Sequence, residues 1–89
     1  MKVKIELFGA SRDFSSHDSL EFDIENNSTV KDIKSKIIDY LDNHCGGNEK
    51  FKKIVNSSVF CSDKNNIISD NYKITKNQKI AIIPPIGGG

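Results

Sequence analysis

The chain has 89 residues, 36% of them hydrophobic and 28% charged, with a net charge of +1 at pH 7. A chain this long makes one domain and buries about 60–65% of its unfolded surface on folding, too little to wall off a deep private active site. The near-neutral charge excludes the electrostatic footprint of a nucleic-acid binder, and no apolar window is long enough to span a bilayer.

The amino end lacks the apolar core of a signal peptide, so a cytoplasmic protein is expected. Cys45 and Cys61 are then expected as free thiols. With His17 and His44 they supply four side chains of zinc-binding type, but without the short C-x-x-C or H-x-x-x-H steps of a metal site, and no metal is expected. The two histidines sit in polar stretches and read as surface residues.

In chain order, Lys2 to Leu7 alternates strictly, with Val3, Ile5 and Leu7 on one face and Lys2, Lys4 and Glu6 on the other, as in a half-buried strand. The same alternation puts Phe8 on the charged, outward face. Gly9 to Ser19 is polar and turn-rich and reads as a long loop. Leu20, Phe22 and Ile24 alternate with Glu21, Asp23 and Glu25, which predicts a second strand forming a hairpin with the first.

A helix opens at Ser28-Thr29, with a hydroxyl for the cap and Asp32 in the first turn, where the helix dipole favours an anion. Val30, Ile33, Ile37, Tyr40 and Leu41 form its apolar stripe, and Lys31, Lys34, Lys36 and Asp39 are expected on the solvated side. Asn43 to Gly47 ends it. Glu49 to Val55 suggests a short helical turn with Phe51, Ile54 and Val55 inward. Val59 to Ser62 reads as a third strand with Cys61 a small sheet residue, Asp63 to Asn66 as a turn, and Ile67-Ile68 as a strand pairing back. Asp70 to Asn77 reads as an irregular connection in which Ile74 is the only aliphatic residue. Lys79 to Ile83 closes the sheet.

The end of the chain, Pro84-Pro85-Ile86-Gly87-Gly88-Gly89, is where chemistry is expected. Proline ends the strand because it has no N–H for the ladder. The six residues from Pro84 onward, if extended, reach about 20 Å, and glycines carry no Cβ to block a narrow channel. Glycines at a terminus are commonly frayed ends, but here they directly follow a strand and a rigid diproline. That position favours a carboxylate on an aimed arm. The domain is therefore drawn at residues 1–83 and the tail at 84–89.

If Ile80 and Ile82 point inward, Ala81 and Ile83 face out beside Phe8 and Ile67 as an apolar patch next to the arm. No P-loop, no nucleophile–histidine–acid set and no paired carboxylates in an apolar setting are visible, so the chain reads as a partner of enzymes. Strand, strand, helix, strand, short strand, final strand, with one long helix to cover the sheet, is an α+β arrangement of the β-grasp kind.

At these residues the chain resembles the small subunit of molybdopterin synthase, a ubiquitin-like sulfur carrier. The likeness lies in Leu7-Phe8-Gly9 with Arg12-Asp13, in Thr29-Val30-Lys31-Asp32-Ile33, and most specifically in Ile80 to Gly89. Gly87 stands where a Ser or Thr is more usual. Asn77-Gln78 replaces a Gly-Asp pair, with Asn77 expected to take the left-handed backbone. Ser62 to Asn66 lacks the small-apolar run common there.

The resemblance implies a mixed sheet covered by one main helix and a Gly89 carboxylate that is adenylated and then converted to a thiocarboxylate. No cofactor is bound by the chain itself; ATP and magnesium are used by a ubiquitin-activating-type adenylating enzyme. The large synthase subunit is the second partner, in an expected heterotetramer, and supplies the catalytic side chains. Phe8, Arg12, Ile67, Ala81 and Ile83 are the expected partner interface, and no nucleic acid or membrane is expected. A carrier for thiamine synthesis or transfer-RNA thiolation, a protein modifier and a plain interaction module are the alternatives. The Pro84-Pro85 pair argues for the molybdopterin branch.

Overall fold

A computed structural model describes residues 1–85. Strand β1 (Lys2–Leu7) pairs antiparallel with β2 (Ser19–Asp23) on one side and parallel with the final strand on the other. Strand β3 (Ser28–Thr29) leads into helix α1 (Val30–His44), and helix α2 (Glu49–Ser57) follows. Strands β4 (Val59–Cys61), β5 (Ile67–Ile68), β6 (Lys73–Ile74) and β7 (Gln78–Ile83) complete the chain. The main sheet runs β2-β1-β7-β4-β5, so the first and last strands are neighbours at its centre. This is the expected α+β, β-grasp arrangement: a mixed sheet with its apolar face under one long helix.

The alternating strands and the helical stripe meet as the sequence predicts. Val3, Ile5 and Leu7 of β1, Ile80 and Ile82 of β7, and Val30, Ile33, Ile37 and Leu41 of α1 form one buried cluster. Helix α1 starts where its first turn can satisfy itself. The Asp32 carboxylate accepts the Thr29 N–H at 2.9 Å, and the Thr29 hydroxyl accepts the Asp32 N–H at 3.4 Å. It ends where Gly46 and Gly47 take φ of +67° and +70°, which costs glycine little.

Several expectations are corrected. Residues from Gly9 to Phe14 form a 3-10 helix inside the stretch read as loop. Phe14 is buried there, its ring 5.1 Å from that of Phe51, while its carbonyl accepts the Tyr40 hydroxyl at 3.2 Å. The Ser11 hydroxyl, also buried, is satisfied by donating to the Phe8 carbonyl at 2.6 Å and accepting the Phe8 N–H at 2.9 Å. Helix α2 runs on to Ser57, longer than a single turn; its side chains at Phe51, Ile54 and Val55 turn inward as expected, Val55 completely.

The stretch read as an irregular connection contains β6, which pairs with β3 as a separate two-stranded sheet, and Ile74 in it is fully buried. Lys34 is not on a solvated face. Its ammonium lies 2.7 Å from the Asp70 carboxylate and 5.4 Å from the centre of the Phe60 ring, leaving the side chain 17% exposed. Asn77 does not take the left-handed backbone; its side-chain oxygen accepts the Lys2 N–H at 2.8 Å and so fixes the start of β7 against β1.

Candidate functional site

The site is the end of β7 and what surrounds the chain as it leaves the sheet. Because side chains alternate along a strand, the register assigns each residue of β7 to a face. Ile80 lies level with Ile5, and Ile82 with Leu7 and Phe60; all five are buried on the α1 side. Ala81 lies level with Glu6 and Cys61 on the opposite face, and Cys61 in turn with Ile67. Ile83 lies level with Val59 on that same outer face. Phe8, one residue past Leu7, continues this row.

Four of these outward side chains are the large exposed apolar residues of one sheet end: Phe8 at 45%, Ile83 at 41%, Val59 at 42% and Ile67 at 75% exposure. The structure thus brings the expected Phe8, Ile67, Ala81 and Ile83 onto one face. It adds Val59 and Cys61, which sequence reasoning placed in a strand without assigning a face. The signal was there: Phe60 is inward, so its two neighbours must point outward.

Arg12 takes a different position. It lies on the 3-10 helix with its side chain 65% exposed and 3.5 Å from Asp18. With Lys4, Glu6, Phe8, Asp18 and Lys79 it borders a shallow groove of about 350 Å³. Phe8 therefore stands between an apolar patch and a groove of mixed charge, within which Lys79 is held 3.1 Å from Glu6.

Pro84, assigned to the tail on sequence grounds, is buried, and Pro85 is exposed. Gly9 sits against Pro84 with φ of +54°, and a Cβ added there would meet the Pro84 ring at an ordinary 3.8 Å. Glycine is needed at that turn for its backbone and not for space. On the α2 side, Pro84 and Pro85 border a cleft of about 320 Å³ with Ala10, Lys50, Lys53, Ile54 and Ser57. Ile86, Gly87, Gly88 and Gly89 lie outside the described residues.

The remaining candidates are not assembled into a site. His17 and His44 are exposed, His44 stacked on Tyr40 with ring centres 4.4 Å apart. Cys45 is partly buried, and Cys61 lies in the outer-face row. Among the described residues no three His, Cys, Asp or Glu side chains are grouped as metal ligands, and no helix is long and apolar enough to cross a membrane. Lys52 has its pKa raised above 10.5 by the Asp42 carboxylate, which accepts from it at 2.8 Å, with a further contribution from Glu49 at 3.7 Å.

No protein-family model and no curated protein sequence matches the chain. Solved structures do. SAMP1 from Haloferax volcanii superposes with a TM-score of 0.72 at 13% identity, covering 100% of both chains. A Pyrococcus furiosus protein named as a candidate molybdopterin converting factor subunit 1 gives 0.69 at 18%, covering 96% of this chain and 98% of its own. The complex of subunits 1 and 2 of molybdopterin-converting factor from Helicobacter pylori gives 0.55 at 16%, again covering 100% of both chains. Together with the β2-β1-β7-β4-β5 order and the covering helix, these likenesses make the fold of this chain the ubiquitin-like β-grasp fold.

Proposed function

We propose that the chain is a sulfur carrier for molybdopterin synthesis, acting in the cytoplasm, with Gly89 as its working residue. The observation that carries this reading is that the chain leaves the sheet at Pro84-Pro85 directly beside an exposed apolar patch, with Ile86 to Gly89 following in sequence. A carboxylate is a poor electrophile. An adenylating partner overcomes this when the Gly89 carboxylate attacks the α-phosphorus of ATP and pyrophosphate leaves. A sulfide equivalent then attacks the acyl carbon and expels AMP, which leaves a thiocarboxylate. In the large synthase subunit that sulfur is transferred to the pyranopterin precursor.

The chain's own residues serve delivery. Ile82 and Ile80 anchor β7 in the core, Pro84 packs the exit point against Gly9, and Phe8, Val59, Ala81 and Ile83 offer apolar area for a partner to grip. A large-subunit partner is in keeping with the Helicobacter pylori complex of subunits 1 and 2, one chain of which this chain resembles in fold. Incubation with ATP, magnesium, an adenylating enzyme and a sulfur source is expected to replace one terminal oxygen by sulfur in the intact mass. No change under conditions that thiolate a known carrier overturns the reading, and deletion of Gly89 is expected to abolish the product.

The likeness to SAMP1, a small archaeal modifier protein, favours a second reading in which Gly89 is joined to lysines of other proteins. Immunoblots of denatured cell extracts separate the two. Covalent species larger than the free chain identify a modifier, and their absence leaves the carrier.

A further inference from the structure

The cleft between α2 and the diproline adjoins the outer-face patch but differs from it in chemistry. Three stretches of chain lead from the patch into the cleft within two residues: Phe8 to Ala10, Val59 back to Ser57, and Ile83 to Pro84. The four large patch side chains, three of them less than half exposed, supply less than the ~800 Å² that a standard interface covers on each partner. A protein seated on the patch therefore extends past it, and the cleft offers it a recess floored by Ala10, Ile54, Pro84 and Pro85. The rim is cationic. Lys50 and Lys53 stand one helical turn apart, where like charges repel, and the described lining residues include no carboxylate. Neither lysine makes an ion pair with a described residue, whereas Lys52 between them is tied to Asp42 and Glu49. The groove on the other side of Phe8 is different: there Arg12 is paired with Asp18 and Lys79 with Glu6.

We propose that this cleft receives an acidic segment of the protein partner that grips the outer patch, with an apolar side chain of that segment on Ile54 and Ala10 and its carboxylates on Lys50 and Lys53. Charge selects the occupant. Carboxylates answer the two ammonium groups and relieve their repulsion, with no acidic side chain of the cleft to compete for them. An uncharged apolar segment would desolvate the ammonium groups without pairing them, and a small anion would leave the apolar floor uncovered. Exposed charge pairs of this kind set the rate and selectivity of association more than its strength, so the cleft serves to discriminate among partners beside the diproline. On the carrier reading the partner is the adenylating enzyme, the first to act on Gly89. That assignment rests on the carrier reading, but the ligand chemistry of the cleft does not.

The test has two arms, both on the full chain. In the first, a capped peptide with leucine between two pairs of glutamates is titrated in while backbone amide resonances are followed. Shifts centred on Ala10, Lys50, Lys53 and Ile54 are expected, lost in the Lys50→Gln/Lys53→Gln chain and at about 0.5 M salt, which screens exposed pairs. Shifts spread over all surface lysines, or an equal response to the counterpart peptide with lysines for glutamates, overturn the proposal. In the second arm, calorimetry measures affinity for the adenylating enzyme. Lys50→Gln/Lys53→Gln is expected to weaken it about threefold and Lys50→Glu/Lys53→Glu about tenfold, with the unfolding midpoint unchanged. Equal affinity after charge reversal overturns the assignment to that enzyme. A chain that takes the peptide in the cleft but neither binds the enzyme nor gains sulfur counts against the carrier reading alone, because no enzyme enters the first arm.

Discussion

Ile82 and Ile83 are consecutive residues of β7, yet Ile82 is fully buried among Leu7, Phe60 and the apolar stripe of α1, while Ile83 is 41% exposed beside Phe8 and Val59. Residue type is the same; only the face differs. An isoleucine on the covered face contributes to stability, and one on the open face is left with apolar area that no other described residue covers. The outer face is itself divided. Lys2, Lys4, Glu21 and Lys79 occupy one end, with Lys2 3.8 Å from Glu21, and the apolar residues gather at the end from which the tail departs. On the reading proposed above, docking falls to the tail end and solubility to the other.

This contrast can be broken most severely at the core. Ile82→Ala is expected to cost about 2–5 kcal/mol, through lost burial and the cavity left behind, read as a lower midpoint in denaturant. A loss below about 1 kcal/mol would mean that β7 is not anchored as described. Phe8→Ala and Ile83→Ala are expected to reverse the pattern. Each costs less than about 1 kcal/mol of stability but weakens binding to the adenylating enzyme by more than about fivefold, the scale of truncating a central interface residue. Equal affinity in a calorimetric titration would remove the patch from the interface.

Ile67→Ser sharpens the boundary of the patch. At 75% exposure on a two-residue edge strand, it is expected to change affinity by less than about twofold. An effect as large as that of Ile83→Ala would move the centre of the interface toward β5. The smallest effect belongs to a contact held by charge. The pKa of Lys52 is raised in the folded chain by Asp42, so its contribution is complete below the unfolded value of 10.5 and is lost as pH rises through the folded one. Lys52→Met is therefore expected to reduce stability slightly at pH 7 and to converge with the unaltered chain in strongly alkaline buffer. A gap that widens with pH would contradict the pairing.

Legibility followed pattern length. β1, β2 and α1 were readable because each repeats its period several times and because the Thr29–Asp32 cap closes within four residues. Phe14 and Ile74 were not, since each is a single apolar residue in a polar stretch, and one residue has no period. β3 and β6 are two residues each, too short to show alternation, and exist because they pair with each other across a long separation. Lys34 misled for a related reason. In sequence it reads with Lys31 and Lys36 as part of the solvated side, and its partners Asp70 and Phe60 arrive from elsewhere in the chain. In the site, the outward direction of Phe8, Ala81 and Ile83 was legible, while the gathering of Val59 and Cys61 with them was not.

By itself the sequence determined the longer periodic elements, the sign of each face of β1 and β7 and the stop at Pro84-Pro85, because all of these are local properties of side chain and backbone. Only the tertiary structure decided that β1 and β7 lie side by side, that Pro84 is packed into the body against Gly9, and that Lys50 and Lys53 of α2 border the diproline. Those outcomes depend on which surfaces meet, and that is set by burying the whole core at once.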